Sequence, residues 1–147
     1  MIEIIDLKRV SVFKNLTNDE LNDIKILVTE KTFAKGTILF KEGMRGGVMY
    51  IVKKGGIEIF KKGKPSEISL AKLGPGSFVG EMSLIDDEPR SASARISEDA
   101  VLLIITKSSF QEIITKNAEA GNKILITFIK MLNSRLRNTN KRIQTTV

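Results

Sequence analysis

The feature that most constrains this chain is a series of short apolar or alternating segments between residues 32 and 105, separated by glycine and proline turns. Segments of this kind at intervals of roughly 8 to 12 residues are typical of an antiparallel sandwich or barrel. We therefore expect a mainly β protein with a β-barrel over residues 32–105. The predicted strands cover residues 38–40, 48–52, 57–60, 68–70, 92–96 and 101–105, and the turns contain Gly36, Gly43, Gly46, Gly47, Gly55, Gly56, Gly63, Gly74, Pro75, Gly76 and Pro89.

A helical entry is predicted before the barrel, over residues 1–31. Thr17 and Glu20 have the spacing of a capping box, and Leu16 and Leu21 are placed as the hydrophobic staple beside it. A helix is therefore expected to begin at this point.

Helices are also predicted after the barrel, over residues 106–147. Ser108 and Gln111 form a second candidate capping box, and a long final helix is expected to begin near Ala118. With a total length of 147 residues, the three parts make a single domain.

Apolar residues recur along the final helix at intervals of four and three. This is a heptad pattern with one polar position, which suggests a helix pair in a homodimer. The alternative is that the same stripe packs on the chain's own β-domain. The positions are Leu125, Ile129, Leu132, Leu136, Thr139 and Ile143.

The chain contains no cysteine and no histidine. Thiolate nucleophiles, disulfides, zinc–thiolate sites and imidazole bases are thereby excluded, so we expect a binding domain rather than an enzyme. No metal site or cofactor is expected, since the acids at 86–88 are typical of a solvated turn. The longest strictly apolar run, residues 101–105, predicts no membrane span, and the start of the sequence predicts no secretory signal. A cytoplasmic location is expected.

The net charge of +7 is concentrated at the C-terminal end. Residues 116–147 hold seven basic residues and one acidic residue, a net charge of +6. Such a segment can attract nucleic acid, anionic lipid or an acidic protein surface, or it can be the solvated face of an amphipathic helix.

One glycine turn is followed by a short helical segment and an arginine. Gly80 allows the backbone to come close to a ligand, and a helix that starts at Glu81 directs N–H groups and a positive dipole end into the same space. Arg90 adds a planar two-pronged donor that suits a phosphate. These features predict an anion cradle. The alternatives are that Arg90 is a surface residue paired with Asp86 or Asp87, and that Glu81 is an ordinary helix-start charge.

A carboxylate in a phosphate cradle needs its own explanation. Because Glu81 can only accept hydrogen bonds, we expect it to receive one from a hydroxyl beside the phosphate. A ribose 2′-OH fits this role, so the predicted ligand is a small nucleotide.

The segment FVGEMSLIDDEPRSASARI (78–96) resembles the phosphate-binding cassette of cyclic nucleotide-binding domains, as found in the catabolite activator protein, protein kinase A regulatory subunits and cyclic nucleotide-gated channels. Four flanking segments are also similar to the family: VFKNLTNDEL, FAKGTILFKEG, MYIVKKGGIEIF and NSRLRNTN. The resemblance implies an antiparallel β-barrel or jelly roll (double-stranded β-helix) with N-terminal helices, a short cassette helix and a long C-terminal helix.

The resemblance also implies roles for single residues. Arg90 would hold the exocyclic phosphate oxygens and Glu81 the ribose 2′-OH, with backbone N–H groups and the Ser91 hydroxyl completing the cradle. One departure from the family is Gly47, which stands where an acidic residue often occurs. The candidate ligand-binding residues are Phe78, Val79, Gly80, Glu81, Met82, Ser83, Arg90, Ser91 and Ala92, with Leu136, Thr139 and Asn140 of the final helix as candidates for the base.

Three functions are compatible with the sequence. The first is a non-enzymatic sensor of cyclic AMP or cyclic GMP, with cyclic AMP favoured, in which ligand binding moves the final helix. The second is the sensor half of a helix-turn-helix transcription regulator, with direct DNA binding not expected of this chain itself. The third is an adaptor domain with an unused pocket. The downstream protein partner does not follow from the residues.

Overall fold

The computed structural model describes residues 2–146, with side chains described as far as Lys141, and consists of a six-stranded antiparallel sheet with helices at both ends of the chain. The mainly β architecture with flanking helices is therefore confirmed. The strands are β1 (Thr29–Phe33), β2 (Ile38–Phe40), β3 (Val48–Lys61), β4 (Ile68–Leu73), β5 (Phe78–Val79) and β6 (Ser93–Thr106).

The two longest strands hold the sheet together. β6 pairs with β1, β2 and β3, and β3 also pairs with β4 and β5. Every one of these pairs is antiparallel. The short strand β5 is the first part of the cassette (78–96), so its pairing with β3 positions the start of the cassette.

One predicted turn is instead a bulge. The segments 48–52 and 57–60 join in β3, and Gly55 lies within this strand at φ of 85°. A Cβ on Gly55 would lie 2.7 Å from the Ala100 Cα on β6, and the register between the strands shifts around Gly56. Glycine serves both turns and bulges, so the residue type alone could not distinguish them.

The other strand boundaries also differ from the prediction. The segments 92–96 and 101–105 join in β6, and β1 begins at Thr29 rather than at residue 32. Glu30 and Lys31 were predicted to belong to the helical entry, but they pair with β6. Because β1 consists largely of polar residues, its sequence gives no strand pattern, and its pairing with β6 makes it a strand.

Helices α1 (Ile4–Lys8) and α2 (Asn18–Lys25) precede the sheet, with a 3-10 turn at Ser11–Phe13 between them. The predicted capping box of α2 is confirmed: the Thr17 N–H donates to Glu20 Oε1 at 2.8 Å, and the Glu20 N–H donates to Thr17 Oγ1 at 3.2 Å.

Helices α3 (Lys107–Lys116) and α4 (Ala118–Thr146) follow the sheet, and the predicted start of the long helix at Ala118 is confirmed. The second predicted capping box is wrong. The cap of α3 is Thr106, whose Oγ1 accepts from the Ser109 N–H at 3.1 Å, because β6 leads directly into the helix.

The core has two parts. One lies between the helices and the sheet and includes Leu7, Phe13, Leu21, Phe110 and Phe128, all 3% exposed or less. The other lies within the sheet and contains Phe40, Val52, Ile57, Ala94, Ile96, Ala100 and Leu102.

The predicted apolar stripe of α4 divides between these environments. Leu125 packs against the helical part of the core, whereas Ile129, Leu132 and Leu136 are exposed. Thr139 is also exposed, and the Ile143 side chain lies outside the described residues. Packing on the chain's own domain therefore accounts for only the first position, and the predicted homodimer stays a prediction. No helix within residues 2–146 has the length and apolar character needed to cross a membrane.

Candidate functional site

A cavity of about 340 Å³ opens beside the turn that follows β5. It brings together residues from β2, β3, the cassette, the loop before β6 and α4. The lining residues are Phe40, Ile59, Val79, Gly80, Glu81, Met82, Ser83, Asp86, Glu88, Pro89, Arg90, Ser91, Ala92 and Arg135.

The short helix of the cassette is preceded by a glycine, Gly80, that no other residue type fits. Gly80 adopts φ of 90° and ψ of 13°, in the left-handed region, and a 3-10 helix over Glu81–Leu84 follows it. A Cβ on Gly80 would lie 2.5 Å from the Val48 carbonyl oxygen and 2.6 Å from Arg90 Nη1. The missing side chain therefore makes room for the arginine as well as setting the turn.

Arg90 is the central charged group of the cavity, and it is only 8% exposed. Its Nη2 donates to the Val48 carbonyl oxygen at 2.9 Å, and its Nη1 donates to Ser83 Oγ at 3.0 Å. The guanidinium carbon lies 4.1 Å from the centroid of the Phe40 ring, a cation–π distance. The alternative of a surface arginine paired with Asp86 or Asp87 is therefore wrong.

The backbone of Arg90 is held as firmly as its side chain. The Arg90 N–H donates to the Met44 carbonyl oxygen, and the Gly43 N–H donates to the Arg90 carbonyl oxygen, both at 2.8 Å. These two bonds attach the segment before β6 to the loop between β2 and β3. The arginine thus enters the cavity from a fixed point.

The site leaves the Arg90 charge without a counter-charge. Within residues 2–141, no carboxylate forms an ion pair with Arg90, and its Nε is buried without a hydrogen-bond partner. Burial lowers the pKa of Arg90, and the nearby Tyr50 opposes that change. Burial raises the pKa of Tyr50, so this phenol stays neutral near neutral pH. A buried cation with an unsatisfied donor is a strong candidate for binding an anion.

Glu81 also lines the cavity and is 8% exposed. Its Oε1 accepts from Arg135 Nη1 of α4 at 3.0 Å. The Arg135 side chain is 57% exposed, so the pair lies at the border between the cavity and the solvent. This contact joins the cassette to the long helix.

Most of the predicted site residues meet at this cavity. Val79, Gly80, Glu81, Met82, Ser83, Arg90, Ser91 and Ala92 all line it.

The other four predicted residues do not line the cavity. Phe78 packs towards the helical core, with its ring centroid 6.2 Å from that of Phe128. Leu136, Thr139 and Asn140 are exposed on α4, and the Thr139 hydroxyl donates to the Arg135 carbonyl oxygen of its own helix. Contact of these residues with a bound ligand stays a prediction.

Sequence reasoning missed Arg135, which takes the place on α4 that was predicted for Leu136 and Thr139. The resemblance located the helix segment but not its rotation. Phe40 was missed because it read as an ordinary strand residue. The acids at 86–88 do not form a metal site, since no group of carboxylates in the described part of the chain is arranged to hold an ion.

The acid nearest α3 has a structural partner instead. Asp87 pairs with Lys107 Nζ at 2.6 Å, and this hydrogen bond lowers the pKa of Asp87. The pair attaches the loop after the cassette helix to the start of α3.

Comparison with known proteins identifies the family. The profile of the cyclic nucleotide-binding domain matches residues 30–117, which include the whole cassette. The chain belongs to this family. As in other cyclic nucleotide-binding domains, the sheet is jelly-roll-like, and a solved cyclic nucleotide-binding domain from Methylobacillus flagellatus has the same fold. Its TM-score is 0.81 at 24% identity, over 98% of this chain and 82% of that one.

The curated relatives of this chain include a kinase regulatory subunit and a receptor protein. The chain is 29% identical over 108 residues to a cAMP-dependent protein kinase regulatory subunit of Debaryomyces hansenii, covering 74% of this chain and 23% of the relative. It is 32% identical over 111 residues to the cyclic AMP receptor protein of Thermus thermophilus, covering 75% of this chain and 51% of the relative. The chain thus matches a quarter to a half of the length of these relatives.

Proposed function

We propose that this chain is a non-catalytic sensor that binds a cyclic nucleotide, with cyclic AMP preferred, and passes the binding event to α4. The observation that carries the proposal is the buried, uncompensated guanidinium of Arg90 at the cavity. A phosphate would supply the missing negative charge and an acceptor for the unsatisfied donor. Hydrogen bonds between charged groups stabilise by about 1.5–3 kcal/mol each.

A ribose hydroxyl has an acceptor at the other side of the cavity. Glu81 Oε1 already accepts from Arg135, so a 2′-OH that donates to Glu81 would share or displace that contact. A ligand shifts a conformational equilibrium only by its differential affinity for the two states. Displacement of Arg135 from Glu81 by the 2′-OH would supply that difference, and it would free the α4 residue that contacts the cassette.

The proposed preference for cyclic AMP is supported by the names of relatives. Relatives that match this chain include proteins named for cyclic AMP, such as those of D. hansenii and T. thermophilus. Relatives named for cyclic GMP also occur, among them protein kinases of Drosophila melanogaster. Ser91 lines the cavity but is compatible with either base.

Isothermal calorimetry with both nucleotides tests the proposal. We expect cyclic AMP to bind more tightly than cyclic GMP, and a ligand at 100 times its dissociation constant to raise the unfolding free energy by about 2.7 kcal/mol. Arg90→Ala should largely abolish binding, and Arg90→Lys should weaken it strongly because an ammonium lacks the two-pronged geometry. Glu81→Gln should cause a milder loss.

Two results would contradict it. Unchanged affinity in a folded Arg90→Ala variant would remove the arginine from the site. No heat and no thermal shift with either nucleotide would favour an adaptor domain with an unused pocket.

The proposal includes a homodimer through the exposed stripe of α4. Ile129 and Leu136 are more than half exposed on this helix, a pattern that suits a second copy. Sedimentation of the wild type and of Leu132→Lys tests this point, since the charge should shift a dimer to a monomer. A role as the sensor half of a helix-turn-helix transcription regulator, and a cytoplasmic location, stay predictions.

A further inference from the structure

We infer that Ser83, seated against Gly46, is the positioning residue for the Arg90 guanidinium, and that this neutral support leaves the full positive charge available to an anion. The inference rests on the proposed function for its ligand, but its geometric part stands independently.

Two acceptors fix the plane of the guanidinium. Ser83 Oγ accepts from Nη1 at 3.0 Å and the Val48 carbonyl oxygen accepts from Nη2 at 2.9 Å. Because the two bonds engage different terminal nitrogens, rotation about the Cζ–Nε bond would break both. The Phe40 ring covers one face of the same group. The orientation is therefore set before any ligand enters.

Ser83 reaches Arg90 only because residue 46 has no side chain. A Cβ on Gly46 would overlap Ser83 Oγ and lie 2.8 Å from Ser83 Cβ. The Ser83 N–H donates to the Gly80 carbonyl oxygen at 3.1 Å, which fixes the serine from the other side. The loop before β3 and the cassette helix thus form one seat for the hydroxyl.

Neutral acceptors have a different electrostatic consequence from a carboxylate. A carboxylate at this seat would offset the Arg90 charge and compete with an incoming phosphate, whereas a hydroxyl and a carbonyl hold the group without neutralising it. Gly47, which directly precedes Val48, offers no side chain at all. Because no carboxylate within residues 2–141 forms an ion pair with Arg90, its positive charge remains available to a ligand anion.

The experiment compares the wild type with Ser83→Ala. In the ligand-free protein, ¹⁵N NMR should resolve separate slow-rotating Nη resonances for Arg90 in the wild type, assigned by their loss in Arg90→Lys, and these should merge in Ser83→Ala. Calorimetry should show cyclic AMP affinity reduced about tenfold. The affinity ratio for the two diastereomers of adenosine cyclic phosphorothioate, which differ in the exocyclic oxygen replaced by sulfur, should change at least threefold.

Ser69→Ala is the matched control, because it removes an exposed hydroxyl on β4 that donates to Glu58, and neither residue lines the cavity. It should leave all three measurements unchanged. Gly46→Ala is the second variant: it keeps the hydroxyl but displaces it, and should shift the measurements in the same direction as Ser83→Ala. When both are combined, the second change should add little.

The outcomes separate the two proposals. Arg90 resonances that stay resolved in a folded Ser83→Ala variant, or an unchanged diastereomer ratio, would overturn the positioning role. Absence of cyclic nucleotide binding in the wild type would overturn the proposed function, while the NMR result would still decide the role of Ser83.

Discussion

The two halves of α4 share one helix but are held by different forces. In the anchored half, residues 118–128, Ala120, Ile124 and Phe128 are buried in the helical core. Lys123 adds a charged hydrogen bond to Glu20 of α2 at 2.7 Å. This half is part of the folded domain.

The outer half, residues 129–141, contributes no side chain to the buried helical core. Ile129 and Leu136 are 56% and 60% exposed. Its ion pair with the cassette joins Arg135 to Glu81 across the cavity mouth, and Arg135 is itself largely exposed. Because solvent reaches the Arg135 side of this pair and screens it, its contribution is expected to be about 1 kcal/mol or less, well below that of burying an aromatic side chain.

Under the proposed function, α4 would serve both as a structural element and as a reporter of ligand binding. Burial makes the anchored half costly to move. The Arg135–Glu81 contact attaches the outer half at the place where the proposed ligand binds, so under the proposed function a change in free energy at Glu81 would act on this half.

The largest expected difference between the halves is in stability. Phe128→Ala should lower the free energy of unfolding by about 3–5 kcal/mol, because it leaves a cavity among Phe78 and Phe110. Leu136→Ala should change it by less than about 0.5 kcal/mol. Urea denaturation of both variants measures this, and similar losses in the two would end the distinction.

A smaller effect is expected at the ion pair of the anchored half. The hydrogen bond from Lys123, and then that from the Thr17 N–H, lower the pKa of Glu20 below its ordinary value of 4.5. The ionised Glu20 carboxylate therefore stabilises the folded state above about pH 4.5, and this stabilisation is lost as the pH falls through the lowered folded-state pKa. Glu20→Gln should cost about 1–3 kcal/mol at pH 7.

The acid dependence provides the check. The stability difference between the wild type and Glu20→Gln should shrink as the pH falls below 4.5. Asp19→Asn, an exposed neighbour in the same turn, should show a smaller difference at every pH. A gap between wild type and Glu20→Gln that does not depend on pH would contradict the assignment.

The smallest effect on stability is expected in the outer half. Arg135→Met should change the unfolding free energy by less than about 1 kcal/mol. It should nevertheless speed amide hydrogen exchange over residues 129–141 in the ligand-free protein and leave the anchored half unchanged. Arg137→Met is the control, since Arg137 is exposed two positions away. Equal exchange in both variants would mean that the contact with Glu81 does not hold the helix.

Local patterns predicted much of this fold. The capping box at Thr17 and Glu20 and the start of α4 at Ala118 depend on residues a few positions apart, and both are confirmed. The sequence did not predict features that depend on a distant partner. β1 is polar and is defined by its pairing with β6, and Gly55 is a bulge because Ala100 lies against it.

The same division applies to the site. Gly80, Glu81 and Arg90 were predicted from their local motif, and all three line the cavity. Arg135 was missed, because a residue on a distant helix enters the site only through the rotation of that helix.

The sequence by itself determined the family, the mainly β architecture and the cassette that holds Gly80, Glu81 and Arg90. Those properties reside in short-range patterns of residue type. Only the tertiary structure decided that Arg90 is supported by Ser83 and Val48, and that the cassette meets α4 through Arg135. The physical reason is that hydrogen bonds and ion pairs between distant segments depend on distances of a few ångströms, which are fixed by the packing of the whole domain.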